Sequence, residues 1–365
     1  MKSDSLAAVF VETGKELEMR RFVLPSSLAP GEVICKILMS TICGSDIHTI
    51  MGRRREPAPL ILGHEIIGQI VAMGDGVEKD GFGERLAIGD RISWSIMASC
   101  GRCYFCTHDL PQKCESLRKY GHSCCDEPPH LTGGYAQHVC LLPGTAIFKV
   151  PADLPDAVAT PANCALSTVI NGVETIGLDA DETVLIQGAG LLGLNLVALA
   201  KETRARHIIV TDISQDRLEL AKQFGATMCL NLAQVDASQV AMKIRDITDQ
   251  KGADVAFEVC GSSNAPAQAC DALRIGGRYL VAGLVMPNSD LGIDGNTITR
   301  KCLTIKGIHN YKPRHLGLAL RFLDDHWRDY PYAGLVGETF DLQNINDAIA
   351  LAQTNKHIRI AVCPT

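Results

Sequence analysis

A chain of 365 residues is too long for one hydrophobic core and about right for two domains. With 46% hydrophobic and 21% charged residues and a net charge of −6, it has the composition of a soluble globular protein and argues against a basic nucleic-acid or membrane-surface binder. No apolar run reaches membrane-spanning length and the first ten residues carry no signal-peptide pattern, so the cytoplasm is the expected compartment.

Up to about residue 160 the chain reads as short strands broken by Gly and Pro. Residues 33–38 and 66–73 are apolar and β-branched, with turn signals at Pro30, Gly31, Gly74 and Gly76 between them. This half is expected to be mostly β. The pattern then changes. A buried strand at 184–187 leads into a glycine turn and a helix at 191–203. A second strand at 207–212 precedes a helix at 215–224, which Gly225 can end. Further strands are predicted at 254–258 and 278–282, with a helix near 264–272 between them. Strands alternating with helices imply a parallel, doubly wound sheet. After about residue 305 the composition is mixed, 344–353 reads as a helix, and this tail is expected to rejoin the first domain.

Fifteen cysteines need an explanation, and their crowding supplies one. Cys100, Cys103 and Cys106 are spaced by two residues, and Cys114 follows after seven. Such spacing turns successive thiolates toward one centre, and four sulfurs close a tetrahedron around a structural zinc. Cys35, Cys140, Cys229, Cys270, Cys302 and Cys363 are scattered and suit small core positions. Three separated segments form a second candidate metal site: one contains Cys43, Ser45, Asp46 and His48, one His64 and Glu65 after Gly63, and one Cys164 after Asn163. Taken singly, a Gly-His-Glu is as well explained by a structural loop, and Ser45 and His48 by a turn and a surface position.

The glycine turn is Gly188, Gly190 and Gly193, with Leu191 and Leu192 between the last two. Placed between strand and helix, it suits a pyrophosphate at a helix N-terminus, and Asp212 ends the next strand at the distance expected of a residue that binds the adenosine ribose. An acidic side chain there repels a 2′-phosphate, so NAD is expected rather than NADP. Arg217 either contacts the ribose or is solvated on its helix.

The order of these segments resembles the zinc-containing medium-chain alcohol dehydrogenases over nearly the whole chain. The resemblance implies an α/β protein: a GroES-like, mostly-β catalytic domain with a structural-zinc lobe at 1–165, a Rossmann NAD-binding domain at 166–305, and a return to the catalytic domain at 306–365. It also implies two Zn2+ per subunit. Cys43, His64 and Cys164 would ligate the catalytic ion and leave one position open, as in alcohol dehydrogenase itself. Ser45 would take the alcohol proton and His48 pass it on, Asp46 would orient His64, and Glu65 would stand behind the metal or serve as an alternate ligand. A homo-oligomer, tetramer or dimer, is expected from pairing of the last strands of the cofactor domain.

Peptides around Cys43, Cys114, His122, Cys164 and Tyr311 resemble a subgroup of phosphonate-catabolism-associated alcohol dehydrogenases, which implies an anionic alcohol or aldehyde substrate. Arg53, Arg54 and Arg55 offer phosphate-binding chemistry or a solvated basic loop. His309, Asn310 and Tyr311 offer cleft contacts or packing. The alternatives are a polyol or threonine dehydrogenase, although those relatives often carry glutamate in place of Cys164, and a non-catalytic NAD- and zinc-binding module, which would not need Ser45 and His48. A zinc-free quinone or enoyl reductase would lack Cys43, His64 and the four-cysteine lobe.

Overall fold

The computed structural model describes residues 4–364, which divide into two compact units, one reaching Ser167 and resuming at Lys312, the other Thr168–Tyr311. The first unit begins with nine strands: β1 (Asp4–Phe10), β2 (Glu18–Val23), β3 (Val33–Thr41), β4 (Leu60–Ile61), β5 (Glu65–Met73), β6 (Arg91–Ala98), β7 (Arg118–Lys119), β8 (His138–Leu141) and β9 (Thr145–Lys149). The second unit holds β10 (Thr183–Gln187), β11 (His207–Asp212), β12 (Met228–Asn231), β13 (Ala253–Glu258), β14 (Leu273–Val281) and β15 (Thr304–Gly307). The chain then returns to the first unit with β16 (Val336–Asp341) and β17 (Arg359–Cys363).

In the first unit, antiparallel pairing decides what meets at one sheet edge. β3 pairs with β5 so that Thr41 stands opposite Glu65, and β17 pairs with β3 so that Ala361 stands opposite Thr41. The residues just past these register points are Cys43, His64 and Arg359, so three distant parts of the sequence converge there. Trp94, Tyr120 and Tyr135 are fully buried in the same unit. The rings of Trp94 and Tyr120 meet edge to face, with centroids 6.3 Å apart.

The second unit is a six-stranded parallel sheet of order β12-β11-β10-β13-β14-β15. All five residues of β10 are buried, the run expected of a central strand covered on both faces. The helix Gln215–Phe224 starts where Ser214 accepts from the Arg217 amide and stops at Gly225, whose φ of 111° a side chain would resist. The order reverses between β10 and β13, which makes the C-terminal ends of these two strands the switch point of a doubly wound sheet.

The structure departs from the sequence reading in several places. β14 begins at Leu273, five residues before the expected 278. The mostly-β half contains the helix Gly44–Ile50, which carries part of the candidate site and is too short to show a period. Helices Ala165–Ile176, Ala237–Asp246 and Arg314–His326 were not anticipated. Among the described residues, no helix is long and apolar enough to cross a membrane.

Candidate active site and metal centres

Cys43 occupies the N-cap of the helix Gly44–Ile50, directly after β3. Asp46, in the first turn and buried, accepts from the Cys43 amide at 2.9 Å through Oδ2 and from the Gly63 amide at 3.3 Å through Oδ1. A carboxylate suits the partial positive charge of a helix start. The same Oδ1 stands 3.4 Å from His64 Nδ1. A proton on Nδ1 facing Asp46 leaves the Nε2 lone pair free for a metal. Ser45 Oγ lies 3.3 Å from that Nε2. Gly63 makes the approach feasible, since its φ is 85° and a Cβ there would come within 2.8 Å of the Tyr135 ring.

Cys164 follows the 3-10 turn Thr160–Asn163 and brings its sulfur to 4.0 Å from that of Cys43. Two thiolates bound tetrahedrally at about 2.3 Å stand about 3.8 Å apart, so this spacing fits a zinc. Donor atoms of Cys43, His64, Glu65 and Cys164 all lie within 4.8 Å of one another. The hydrogen bond with Cys164 and the nearby Arg359 guanidinium hold Cys43 well below the ordinary thiol range, while Cys164 is pushed up as its partner. One thiolate is therefore already favoured by the protein itself.

Arg359 escaped the sequence reading. Its Nε and Nη2 donate to the two oxygens of Glu65 at 2.8 and 2.9 Å, and Nη2 reaches Cys43 Sγ at 3.6 Å. Thr41 Oγ1 donates to Glu65 Oε2 at 2.5 Å. Burial pushes the Glu65 carboxyl up to about 7 against the pull of Arg359. These contacts hold the Glu65 carboxylate beside the cysteine and histidine donor atoms. The signal was an arginine within the otherwise apolar residues 358–362.

His122, also missed as a site residue, stacks on His64 with ring centroids 5.3 Å apart. Gly121 permits this, because a Cβ there would meet the Gly63 carbonyl at 2.6 Å. His122 Nδ1 and Arg54 Nε both contact Glu56 Oε1, at 3.0 and 2.7 Å. Burial pushes His122 down to about 4. Burial and the nearby Arg54 and Lys113 hold Lys119 down at about 8. Of the three arginines that offered phosphate-binding chemistry or a solvated loop, Arg54 is thus committed to Glu56, while Arg53 and Arg55 are exposed. His48 is half-buried, with Nδ1 shielded from solvent and without a hydrogen-bond partner among the described residues.

Cys100, Cys103, Cys106 and Cys114 gather their sulfurs within 4.8 Å. The Cys114 sulfur accepts from the amides of Cys100 at 3.2 Å and Ser116 at 3.4 Å. Amide donation from Glu115 and Cys106 holds the Cys103 thiol down at about 6. A four-sulfur set with backbone N–H support fits a closed structural zinc.

In the second unit, Gly188 has a φ of 112°, and a Cβ on Gly193 would lie 1.8 Å from the Gly188 carbonyl oxygen, so both positions need glycine. A Cβ on Gly190 would meet nothing, and no side chain caps the helix Leu191–Glu202 that begins at Leu191 and Leu192. Its first amides are free to receive a phosphate. Asp212 accepts from Ala189 N at 2.7 Å and Ser214 N at 2.9 Å, which ties the glycine turn to the start of the next helix. Arg217 is partly exposed on that helix. Tyr311 is buried, and Asn310, at a φ of 57°, accepts from Asn171 Nδ2 at 2.9 Å through its carbonyl. His309 is exposed.

Comparisons with known proteins agree with this geometry. Residues 29–152 match the model of the alcohol dehydrogenase GroES-like domain, and residues 192–325 that of a zinc-binding dehydrogenase. A 5-exo-hydroxycamphor dehydrogenase of Pseudomonas putida is 30% identical, over 92% of this chain and 93% of its own. An L-threonine 3-dehydrogenase of Deinococcus deserti is 32% identical, over 87% of this chain and 84% of its own. The crystal structure of an alcohol dehydrogenase from Thermotoga maritima superposes with a TM-score of 0.93 at 31% identity, covering 99% of this chain and 100% of its own. Two converging cysteine-rich centres, a doubly wound sheet and these likenesses place the chain in the zinc-containing medium-chain alcohol dehydrogenase family.

Proposed function

We propose that the chain is a zinc-dependent alcohol dehydrogenase that uses NAD and acts on an alcohol or aldehyde bearing an anionic, phosphonate-type group. The observation that carries the reading is Ser45 Oγ at 3.3 Å from His64 Nε2, on the ring nitrogen that would face the metal.

Cys43, His64 and Cys164 would hold the catalytic zinc, which when bound supplies Lewis acidity toward the substrate oxygen. The remaining roles belong to the chain. NAD, when bound, would supply the hydride acceptor, and Ser45 Oγ would accept the alcohol proton. His48 carries that proton onward to solvent, a task suited to a half-buried histidine whose Nδ1 has no hydrogen-bond partner among the described residues. Asp46 fixes the tautomer of His64, and Arg359 with Glu65 fixes the Cys43 sulfur. The products are a carbonyl compound, NADH and one proton. Cys100, Cys103, Cys106 and Cys114 would hold a second, structural zinc.

The preference for NAD rests on Asp212. Its carboxylate is fixed by two amides and would repel a 2′-phosphate while accepting from a ribose hydroxyl. The anionic substrate rests on charge. Lys119 is only partly exposed, lies within electrostatic reach of Arg54, Lys113 and Cys164, and forms no ion pair among the described residues; the carboxylate of Glu56 is shared by Arg54 and His122. An anionic group on the substrate would offset that surplus. A threonine-type activity is the second reading. It is favoured by the threonine dehydrogenase likeness, and its substrate also carries a carboxylate.

We also propose a homo-oligomer formed through β15, an edge strand whose residues are mostly exposed. A reducing, cytoplasmic setting suits fifteen cysteines of which none is in a disulfide.

The test is NADH formation at 340 nm by zinc-replete protein, with 2-hydroxyethylphosphonate, L-threonine, a polyol and simple primary and secondary alcohols. Turnover highest on the phosphonate supports the full proposal. Turnover highest on threonine selects the second reading. No turnover on any of them favours a binding module.

A further inference from the structure

Glu258 ends β13 and is fully buried, yet no lysine or arginine pairs with it among the described residues. Its charge is met by backbone instead. Oε1 accepts from the amides of Cys260 at 2.9 Å and Gly261 at 2.6 Å; Oε2 accepts from those of Gly283 at 2.7 Å and Leu284 at 3.0 Å. One carboxylate thus closes a clasp across two loops, the one after β13 and the one after β14. The loops have no slack. A Cβ on Gly283 would come within 2.6 Å of Glu258 Oε1, Gly261 has a φ of 71°, and a Cβ on Gly188 would meet the Cys260 Cβ at 2.9 Å.

The place of this clasp in the sheet gives it a use. The glycine turn and Asp212 lie at the C-terminal ends of β10 and β11, on one side of the switch point. A dinucleotide anchored there by its adenosine diphosphate would cross the switch point toward the ends of β13 and β14. We propose that Glu258 is a positioning residue that presets the loops 259–262 and 282–285 to receive the nicotinamide riboside half of the cofactor. The inference rests on the proposed use of NAD. Charge-assisted amide bonds at four points fix the loops before the ligand arrives, so binding does not have to order them. Exposed Val285, next to Leu284, gives the fixed edge an apolar surface of the kind a nicotinamide ring can lie against.

The test compares NADH with ADP-ribose, which lacks the nicotinamide riboside, in zinc-loaded full-length protein. Fluorescence and calorimetric titrations give the two affinities. Glu258→Gln keeps the side-chain shape but turns an acceptor oxygen into a donor facing amides. The NADH dissociation constant is expected to rise at least tenfold, with that of ADP-ribose changing less than twofold. Gly283→Ala, whose Cβ would press on Glu258 Oε1 and on the backbone of Val259 and Gly261, is expected to do the same. An unchanged NADH affinity, a parallel loss of both ligands, or failure of both variants to fold with two zincs overturns the inference. Wild-type protein that binds NADH no more tightly than ADP-ribose overturns the use of NAD itself, and that outcome is read before any variant is made.

Discussion

The guanidinium of Arg359 holds both carboxylate oxygens of Glu65 and touches the sulfur of Cys43, so one buried arginine braces the candidate zinc site from the strand β17. Removing one member of such a pair strands the other charge in the interior. Arg359→Met is expected to lose about 3–5 kcal/mol of stability in urea unfolding with zinc present. The double variant Glu65→Leu, Arg359→Met should regain most of that loss, since an apolar pair leaves no orphaned charge. Additive losses would show that the two residues act independently.

Ser45 Oγ stands 3.3 Å from His64 Nε2 and, among the described residues, makes no hydrogen bond to any other element. Ser45→Ala is expected to lower kcat by about 10²–10⁴-fold, the usual weight of one proton-transfer group. Zinc content and melting temperature should stay as in the wild type. Unchanged turnover would remove Ser45 from the relay.

The proton path also predicts a pH response. Burial, then the charge of Arg53, holds His48 below the ordinary histidine value of 6.5. Alcohol oxidation needs His48 neutral, so the rate should fall only as pH drops through that lowered value. Arg53→Gln removes a repelling charge and should move the acid limb of the kcat profile upward by roughly a few tenths of a pH unit, given screening at an exposed site. A limb that stays in place or moves down would contradict the assignment of His48.

The proposed preference for NAD rests on Asp212. Asp212→Asn removes the charge and leaves an acceptor for one of the two turn amides, since the carboxylate uses a separate oxygen for each. The NADP to NAD ratio of kcat/KM is expected to rise about tenfold to a hundredfold, the range for losing one hydrogen bond to a charged group. An unaltered ratio would mean that the coenzyme is read elsewhere.

Much of the fold was legible because it rests on local signals. The strand His207–Asp212 and the helix Gln215–Phe224 were expected at the residues observed, since a buried apolar run and a Ser-to-Gly helix frame mark their ends. The helix Arg314–His326 was hidden although Leu316, Ala319, Leu320 and Leu323 recur at helical spacing, because Gly317 interrupts the run. Packing explains that glycine: a Cβ there would lie 2.4 Å from Phe82 and 2.7 Å from Phe148. Ligand cysteines announce themselves by spacing, whereas Arg359 and His122 gain meaning from Glu65 and Glu56, far away in sequence, and Glu258 from a second loop twenty-five residues on. Their contacts depend on register and loop closure, which no short motif encodes.

Elemental analysis of the purified protein tests the centre of the account most directly. Two zincs per subunit are expected in the wild type. His64→Ala should keep one and lose turnover. Cys103→Ser should also keep one, and its melting temperature should fall. A wild-type chain with no zinc, or a His64→Ala variant that retains two, would contradict a metal held by Cys43, His64 and Cys164.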